Sequence, residues 1–269
     1  MQIIKTLPDL QNFQNTIKGK TLALVPTMGA LHAGHISLVR EGLKHADICL
    51  PYIYVNPTQF AVGEDLEIYP RTLDADLEKL KKAGAQAVWL PSTKDIYPNG
   101  TKATIKAGSI SKYLEGEHRP HFFDGVATVL HRMFSLSKPD VVMMGEKAFQ
   151  QLQVVRDMVS EKKLLTKIIG VPTMRDENGL ALSSRNIYLS NEDYKIAIQL
   201  NKILIEIAQG NITETQAHQK LLNAGFDKID YCTARNSEAF LSKNPNRVLA
   251  ALWLGKTRLI DNTSINSML

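Results

Sequence analysis

Residues 26–35 read PTMGALHAGH, and they stand where an apolar strand is expected to give way to a helix. The run from Thr21 to Val25 predicts the strand, and apolar residues recur at helical spacing from Ile36 onward. His32 then falls in the turn and His35 in the first helical turn. Unpaired backbone N–H groups and the helix dipole favour an anion there. The stretch therefore predicts a phosphate site between a strand and a helix.

Two histidines three residues apart also have other interpretations. They share one helix face and could bind zinc, with His45 and Cys49 downstream. No compact set of further ligands follows at the spacing of structural zinc sites, which disfavours that interpretation. Buried histidines with a purely structural role remain an alternative on the motif alone.

A second apolar segment, PDVVMMGEK at residues 139–147, also predicts a strand that leads into a helix. Lys147 falls at the start of this helix, where a cation opposes the helix dipole. A bound anion would make that position favourable. The alternative is a surface lysine whose alkyl chain lies along apolar surface.

A third segment, from Met174 to Ser190, contains Ser-Ser-Arg-Asn at residues 183–186. Hydroxyl, guanidinium and amide groups are donors that suit phosphate. By composition alone the segment is also typical of a polar linker followed by a helix cap at Ser190.

Strands and helices are predicted to alternate up to residue 173. The predicted strands are Thr21 to Val25, Ile48 to Val55, Ala87 to Leu90, Val141 to Met144 and Lys167 to Val171. The predicted helices are the one after His35, Leu73 to Ala83 and Phe149 to Val159. This alternation indicates an α/β fold with a Rossmann-like parallel sheet over residues 1–173.

Beyond Ser190 the pattern predicts two helices, Asn191 to Ala208 and Glu214 to Ala224. Strands near Lys228 to Ala234 and Arg247 to Leu254 follow. We therefore expect a second, smaller α+β domain over residues 174–269 that carries the Ser-Ser-Arg-Asn loop.

The composition permits a large core and points away from several classes of protein. Of the 269 residues, 44% are hydrophobic, yet no apolar run approaches the ~20 residues needed to cross a bilayer. Residues 1–5 lack the features of an export signal, and Cys49 and Cys232 lie far apart. We expect a cytoplasmic protein that does not bind membranes. The net charge of +5 is scattered along the chain, so we expect no nucleic-acid partner.

Five separated motifs resemble the pantothenate synthetase family (pantoate–β-alanine ligases), which belongs to the nucleotidyltransferases with HIGH and KMSKS motifs. The motifs are PTMGALHAGH at 26–35, VNPTQF at 55–60, YPRT at 69–72, GEK at 145–147 with Gln150 and Gln151, and LSSRN at 182–186. They occur in the order and spacing of that family, and the similarity extends to RLIDN at 258–262.

The resemblance implies that pantoate and β-alanine are condensed at the expense of ATP through a pantoyl adenylate. Residues that resemble the phosphate ligands of the family are His32, His35, Lys147, Ser183, Ser184 and Arg185. Catalytic roles are expected for His32, His35, Lys147 and Arg185. Positions that resemble the nucleoside site are Gly34, Gly145, Met174 and Leu182. Those that resemble the pantoate pocket are Met28, Asn56, Gln59 and Gln151.

The resemblance also implies Mg²⁺ bound with ATP, and it implies a homodimer. Asp76 matches an acidic position near the ion, although Asp74 and Asp76 would equally suit the start of a helix. Three departures from the family stand out. Ala75 lies between Asp74 and Asp76 where some members have another acid, which weakens the metal assignment. Ala148 follows Lys147 where many members have Asp, and His121 is displaced by one position, so we exclude His121 from the site.

Two alternative functions remain open from sequence. One is a different nucleotidyltransferase of the same superfamily that acts on a phosphorylated alcohol, although Gln59 and Gln151 have no evident purpose in it. The other is an RNA-binding relative of an aminoacyl-tRNA synthetase, for which the basic charge is the only support.

Overall fold

A computed structural model describes residues 1–61 and 63–265 of the chain. Its larger sheet has six strands: β1 Gln2–Ile4, β2 Leu22–Thr27, β3 Ile48–Ile53, β4 Ala87–Trp89, β5 Val141–Gly145 and β6 Lys167–Val171. The strands lie in the order β1-β4-β3-β2-β5-β6, and every neighbouring pair is parallel. The predicted Rossmann-like sheet is confirmed, with β1 as an additional strand.

The helices around this sheet are α1 Leu7–Thr16, α2 Ala33–His45, α3 Leu73–Lys82, α4 Thr93–Ile96, α5 Glu115–His118, α6 Phe122–Ser137 and α7 Phe149–Glu161. They cover both faces of the sheet. One core includes Leu24, Leu50 and Trp89, and the other includes Val25, Val39 and Met143. Strands buried on both faces need continuous apolar sequence, which explains why β2, β3 and β5 were predictable.

A second unit follows β6. Its helices are α8 Asn191–Ala197, α9 Gln199–Ala208 and α10 Glu214–Ala224, and its strands are β7 Lys228–Arg235, β8 Arg247–Leu254 and β9 Thr257–Ser264. The strands form an antiparallel sheet in the order β7-β8-β9. The predicted α+β character is confirmed. The single helix predicted over 191–208 is wrong, because the chain makes a tighter turn at Ile198 (φ −65°, ψ −14°) between α8 and α9.

The two units also pack against each other. Phe240 and Leu249 of the second unit belong to the core of the first, and the rings of Phe240 and Phe149 stack with centroids 6.4 Å apart. The domain boundary after residue 173 stays a prediction, and residues 266–269 of the second domain lie outside the described residues. No helix in the described part of the chain is long and apolar enough to span a membrane.

Candidate active site

Two central strands end beside each other and define a crevice. β2 pairs with β3 on one side and with β5 on the other, so the strand order reverses there. Open parallel sheets bind ligands outside the carboxyl ends of their strands at such a point. The segment 28–35 follows β2, and a 3₁₀ turn over Glu146–Ala148 follows β5. The topology therefore brings the predicted histidines and lysine to one edge.

The two histidines cap α2 through their ring nitrogens. His32 is the N-cap residue, and its Nδ1 accepts the Gly34 N–H at 3.1 Å. His35 Nδ1 accepts the His32 N–H at 3.3 Å, and the two ring centroids lie 4.1 Å apart. A ring nitrogen that accepts a backbone N–H carries no proton, so the neutral ring is protonated on Nε2. Each histidine therefore offers one Nε2–H donor.

This cap corrects one part of the sequence analysis. We expected the first backbone N–H groups of α2 to be available for an anion, but the Gly34 N–H is bonded to the His32 ring. The His35 N–H is bonded to the His32 carbonyl at 2.9 Å. Because the cap uses these two backbone N–H groups, the Nε2–H groups of the rings are the donors that remain for an anion.

Both rings are neutral near pH 7. The pKa of His32 is lowered to about 4, mainly by burial and also by the charges of Lys147 and Lys79. Burial also lowers the pKa of His35 to about 3, with contributions from His32 and from the same two lysines. The pair therefore acts through hydrogen-bond donation and not through a positive charge.

Asp76 holds the turn between β2 and α2. Gly29 and Ala30 have positive φ angles of 85° and 50°, and this left-handed conformation costs alanine about 1–2 kcal/mol. The Asp76 carboxylate accepts the Ala30 N–H at 2.9 Å and the Leu31 N–H at 2.8 Å, and its side chain is buried. These contacts give Asp76 a role that needs no metal ion, and its predicted role near the metal stays a prediction.

Over the described residues, no group of three or more His, Cys, Asp or Glu side chains is arranged to hold a metal ion. The zinc interpretation of the histidine pair therefore has no structural support.

Lys147 lies in the 3₁₀ turn that precedes α7, and it is half-buried. Burial lowers its pKa from 10.5 to about 8, the carboxylate of Asp261 opposes this shift, and Arg185 and Arg175 add to it. A lysine whose charge is opposed by burial and by two arginines gains from a bound anion. Its place in the pocket lining favours this interpretation over a surface lysine whose alkyl chain lies along apolar surface.

The segment 174–190 folds back onto the first unit. The Leu182 N–H donates to the Met174 carbonyl at 2.9 Å and closes a hairpin, which a 3₁₀ turn follows. At the start of this turn, Ser184 Oγ donates to the Ala30 carbonyl at 3.0 Å. The serines therefore lie directly opposite the histidine turn.

Arg185 forms an ion pair that the sequence analysis missed. Its Nε and Nη2 donate to Asp65 Oδ2 and Oδ1, both at 2.8 Å, and its guanidinium carbon lies 5.5 Å from the Tyr69 ring centroid. The carboxylate occupies the same fork of donors with which arginine binds phosphate. No sequence pattern links Asp65 to a residue 120 positions away.

Amide groups predicted for the second substrate form a network behind the crevice. The buried Asn56 donates from Nδ2 to Gln59 Oε1 at 3.1 Å, and Gln59 Nε2 donates to Met28 Sδ at 3.0 Å. Helix α6 approaches this turn so closely that a Cβ on Gly125 would lie 2.3 Å from the Thr58 carbonyl. The position of Gln59 is therefore fixed by packing against α6.

Two cavities meet at this edge, a pocket of about 240 Å³ and a wider cleft of about 1100 Å³. Predicted residues that line the pocket are His32, Gly34, His35, Gly145, Lys147, Gln151, Met174, Leu182, Ser183, Ser184 and Arg185. The cleft adds Met28 and Gln59, and shared walls include Lys147, Gln151, Ser183 and Arg185. Asn56 and Asp76 line neither cavity. They contact the residues that do, or the turn that carries them, through hydrogen bonds.

This arrangement gathers hydroxyl, imidazole, ammonium and guanidinium donors on one wall and amides on the next. It is typical of α/β enzymes that bind phosphate groups at the carboxyl ends of parallel strands. Comparison with known proteins narrows the class. The Pantoate-beta-alanine ligase family matches residues 2–264, and the chain belongs to this family. It is therefore an enzyme, a carbon–nitrogen ligase.

Individual relatives are similar to this chain over nearly their whole length. A pantothenate synthetase of Mesorhizobium japonicum is 46% identical over 92% of this chain and 91% of its own. A solved pantothenate synthetase from Thermus thermophilus is 35% identical, with a TM-score of 0.90 over 98% of this chain and 99% of its own. A pantoate–β-alanine ligase from Francisella tularensis was solved with β-γ ATP and β-alanine. It is 34% identical, with a TM-score of 0.88 over 99% of this chain and 98% of its own.

Proposed function

We propose that this ligase condenses pantoate with β-alanine in two steps, with pantoyl adenylate as the enzyme-bound intermediate. ATP is its nucleotide substrate, in keeping with the Francisella relative solved with an ATP analogue. The observation that carries the proposal is the continuity of the two cavities through Lys147, Gln151 and Arg185, which puts phosphate donors beside an amide-lined pocket.

In the first step, a pantoate carboxylate oxygen attacks the α-phosphorus of ATP, the bond to the bridging oxygen breaks, and pyrophosphate leaves. In the second step, the β-alanine amine attacks the acyl carbon, loses a proton, and displaces AMP. Neither step needs a protein nucleophile. What both steps need is positioning and stabilisation of charge that develops on phosphate oxygens.

The phosphate wall supplies that stabilisation. We assign the Nε2–H donors of His32 and His35 to the phosphate oxygens, together with the Lys147 ammonium group. Ser183, Ser184 and Arg185 would close on the triphosphate from the opposite side. Donors that are already oriented in a partly buried crevice do not have to reorganise when negative charge develops, which is the source of their catalytic effect.

The amide wall would bind pantoate. Gln59 and Gln151 can hydrogen-bond its hydroxyl and carboxylate groups, and Met28 offers a polarisable apolar contact for its gem-dimethyl group. Asn56 holds the Gln59 side chain through the hydrogen bond at 3.1 Å and is a supporting residue.

The nucleoside would lie over the first turn of α2. Gly34 leaves space beneath the adenine, and Gly145 lies where the ribose would pass. Because the Leu182 N–H is bonded to the Met174 carbonyl, we assign adenine recognition at Leu182 to its carbonyl oxygen.

Magnesium belongs to the proposal as an ion carried by the triphosphate. The described residues do not form a protein cage for it, and the Asp76 oxygens already accept hydrogen bonds. Mg²⁺ commonly binds through phosphate oxygens and water with few protein ligands, and no step above depends on a protein-held ion. A homodimer is also proposed, and light scattering would test it.

The deciding experiment is isotope exchange between pyrophosphate and ATP. Exchange should require pantoate and should proceed without β-alanine, because the adenylate forms before the amine reacts. Exchange that depends strictly on β-alanine would reject the two-step order. Exchange supported by a phosphorylated alcohol in place of pantoate would reject the substrate assignment.

A further inference from the structure

Two neighbouring residues of β9 contact both phosphate-binding segments of the proposed site. Asn262 Nδ2 donates to the carbonyls of Glu146 and Lys147, at 2.9 and 3.0 Å. These carbonyls belong to the 3₁₀ turn that carries Lys147. The side chain of Asn262 is buried, and its Oδ1 accepts a hydrogen bond from Arg247. A residue of the second unit therefore fixes the backbone of a turn in the first.

Asp261 makes the complementary contact to the serine loop. Its carboxylate binds the Arg175 guanidinium through two hydrogen bonds of 2.7 and 2.9 Å, and the side chain is only 2% exposed. Arg175 also donates to the Gly179 carbonyl across the hairpin that leads to Ser183. Asp261 thereby fastens the base of the hairpin from which the phosphate-binding loop extends.

We propose that Asp261 and Asn262 are positioning residues that hold Lys147 and the Ser183–Arg185 loop at the spacing a triphosphate requires. The inference rests on the proposed function of Lys147. Neither residue lines the smaller pocket, in which the proposed phosphate donors gather. Both reach the wall of the wider cleft, but their side chains are bonded to Arg175 and to the Lys147 turn, so we assign them an action through the groups they hold.

Asp261 and Asn262 differ in charge, so we expect them to affect Lys147 in different ways. Asn262 is neutral and sets geometry, whereas Asp261 also places a negative charge near Lys147 and raises its pKa. The other groups that act on this pKa are Arg185 and Arg175, which lower it. The neighbouring His32 and His35 rings are neutral, and Glu146 lies beside Lys147 on the turn and 3.9 Å from Arg247.

The test compares Asp261→Asn and Asn262→Leu with Thr263→Val, a matched control one residue further along β9. ATP affinity of each protein is measured from pH 6 to 10. Asp261→Asn keeps the side-chain shape but removes the charge, so the alkaline loss of affinity should move to lower pH, on the order of one pH unit. A purely structural role would leave this midpoint in place.

Asn262→Leu removes two donors from the turn and should weaken ATP binding on the order of tenfold, with the pH midpoint near its original value. Asn262→Asp is the second variant if the leucine protein does not fold, and its carboxylate facing two carbonyls should impair binding as strongly. An unmoved midpoint in Asp261→Asn, or unchanged affinity in either Asn262 variant, would overturn the proposal.

Lys147→Met separates this inference from the proposed function. If Lys147→Met loses ATP affinity while the Asp261 and Asn262 variants keep wild-type affinity and pH midpoint, only the positioning role is rejected. Unchanged ATP affinity in Lys147→Met would reject the phosphate role of Lys147 and the inference with it.

Discussion

Replacement of Lys147 by methionine should make the protein more stable and nearly inactive. The pKa of Lys147 falls from 10.5 to about 8 mainly through burial. At about 1.4 kcal/mol per pKa unit, keeping this charge at pH 7 costs the folded state at most about 3.5 kcal/mol, and less because the side chain is half-buried. Methionine fills similar space without the charge. The free energy of unfolding should therefore rise.

Catalysis should change in the opposite direction. Removal of one oriented charge from a developing phosphate charge costs roughly 3 kcal/mol, on the order of a hundredfold or more in kcat/KM. The assays are urea unfolding at pH 7 and pantoate-dependent release of pyrophosphate. Lys162→Met is the control, because it removes an exposed lysine at the opposite end of α7, where a cation is favourable. It should leave turnover unchanged and lower stability slightly.

The pH dependence gives the same prediction a second test. Because the folded state releases the Lys147 proton at lower pH than the unfolded chain, its unfolding free energy should rise between pH 8 and 10.5. ATP affinity should fall over the start of the same range, since the charged form binds phosphate. Both effects should be absent in Lys147→Met. A variant that unfolds more easily than the wild type, or that keeps near-native turnover, would refute the reasoning.

Three further predictions concern the groups around Lys147. His32→Asn should keep the N-cap but lose the Nε2–H donor, so pyrophosphate exchange should collapse at nearly unchanged stability. Between pH 6.5 and 4 the unfolded histidines bind protons that the folded rings do not, so the unfolding free energy of the wild type should fall with falling pH. In His32→Asn this fall should be smaller. Asp76→Asn should lower the unfolding free energy by about 1–3 kcal/mol, because the two backbone N–H groups bond to different carboxylate oxygens and an amide has only one oxygen. A higher Mg²⁺ requirement at unchanged stability would instead support the predicted metal role. Asp65→Asn should lower the KM for ATP several-fold by releasing Arg185, whereas a higher KM would mean that Asp65 holds Arg185 in its working position.

The strands around the crevice were predictable because burial on both faces demands continuous apolar sequence. Helix α6 was missed for a related reason. Ten of its 16 residues are buried, so its apolar side chains do not form a single stripe. β9 was missed because its buried positions include Thr257, Asp261 and Asn262, which are not apolar.

The motifs were found by sequence, but the contacts between them were not. The hydrogen bonds of Asp261 to Arg175 and of Asn262 to Lys147 join residues 86 and 115 positions apart. No local period records such a pairing. The sequence also did not show that each histidine accepts a backbone N–H through Nδ1 and donates through Nε2. It identifies the ring but not which nitrogen makes which hydrogen bond.

The H-x-G-H segment behaves as one structural unit and not as separate positions. A methyl group on Gly34 would stand 2.9 Å from His32 Cε1. The His32 ring accepts the Gly34 N–H, and the His35 ring accepts the His32 N–H. Changes at His32, Gly34 and His35 should therefore show strong epistasis, since the first substitution already removes what the second would disturb. A variant that has lost one of the three residues should therefore lose little more stability when a second is changed. For the same reason, grafting the motif into another α/β protein should succeed only when His32, Gly34 and His35 are moved together.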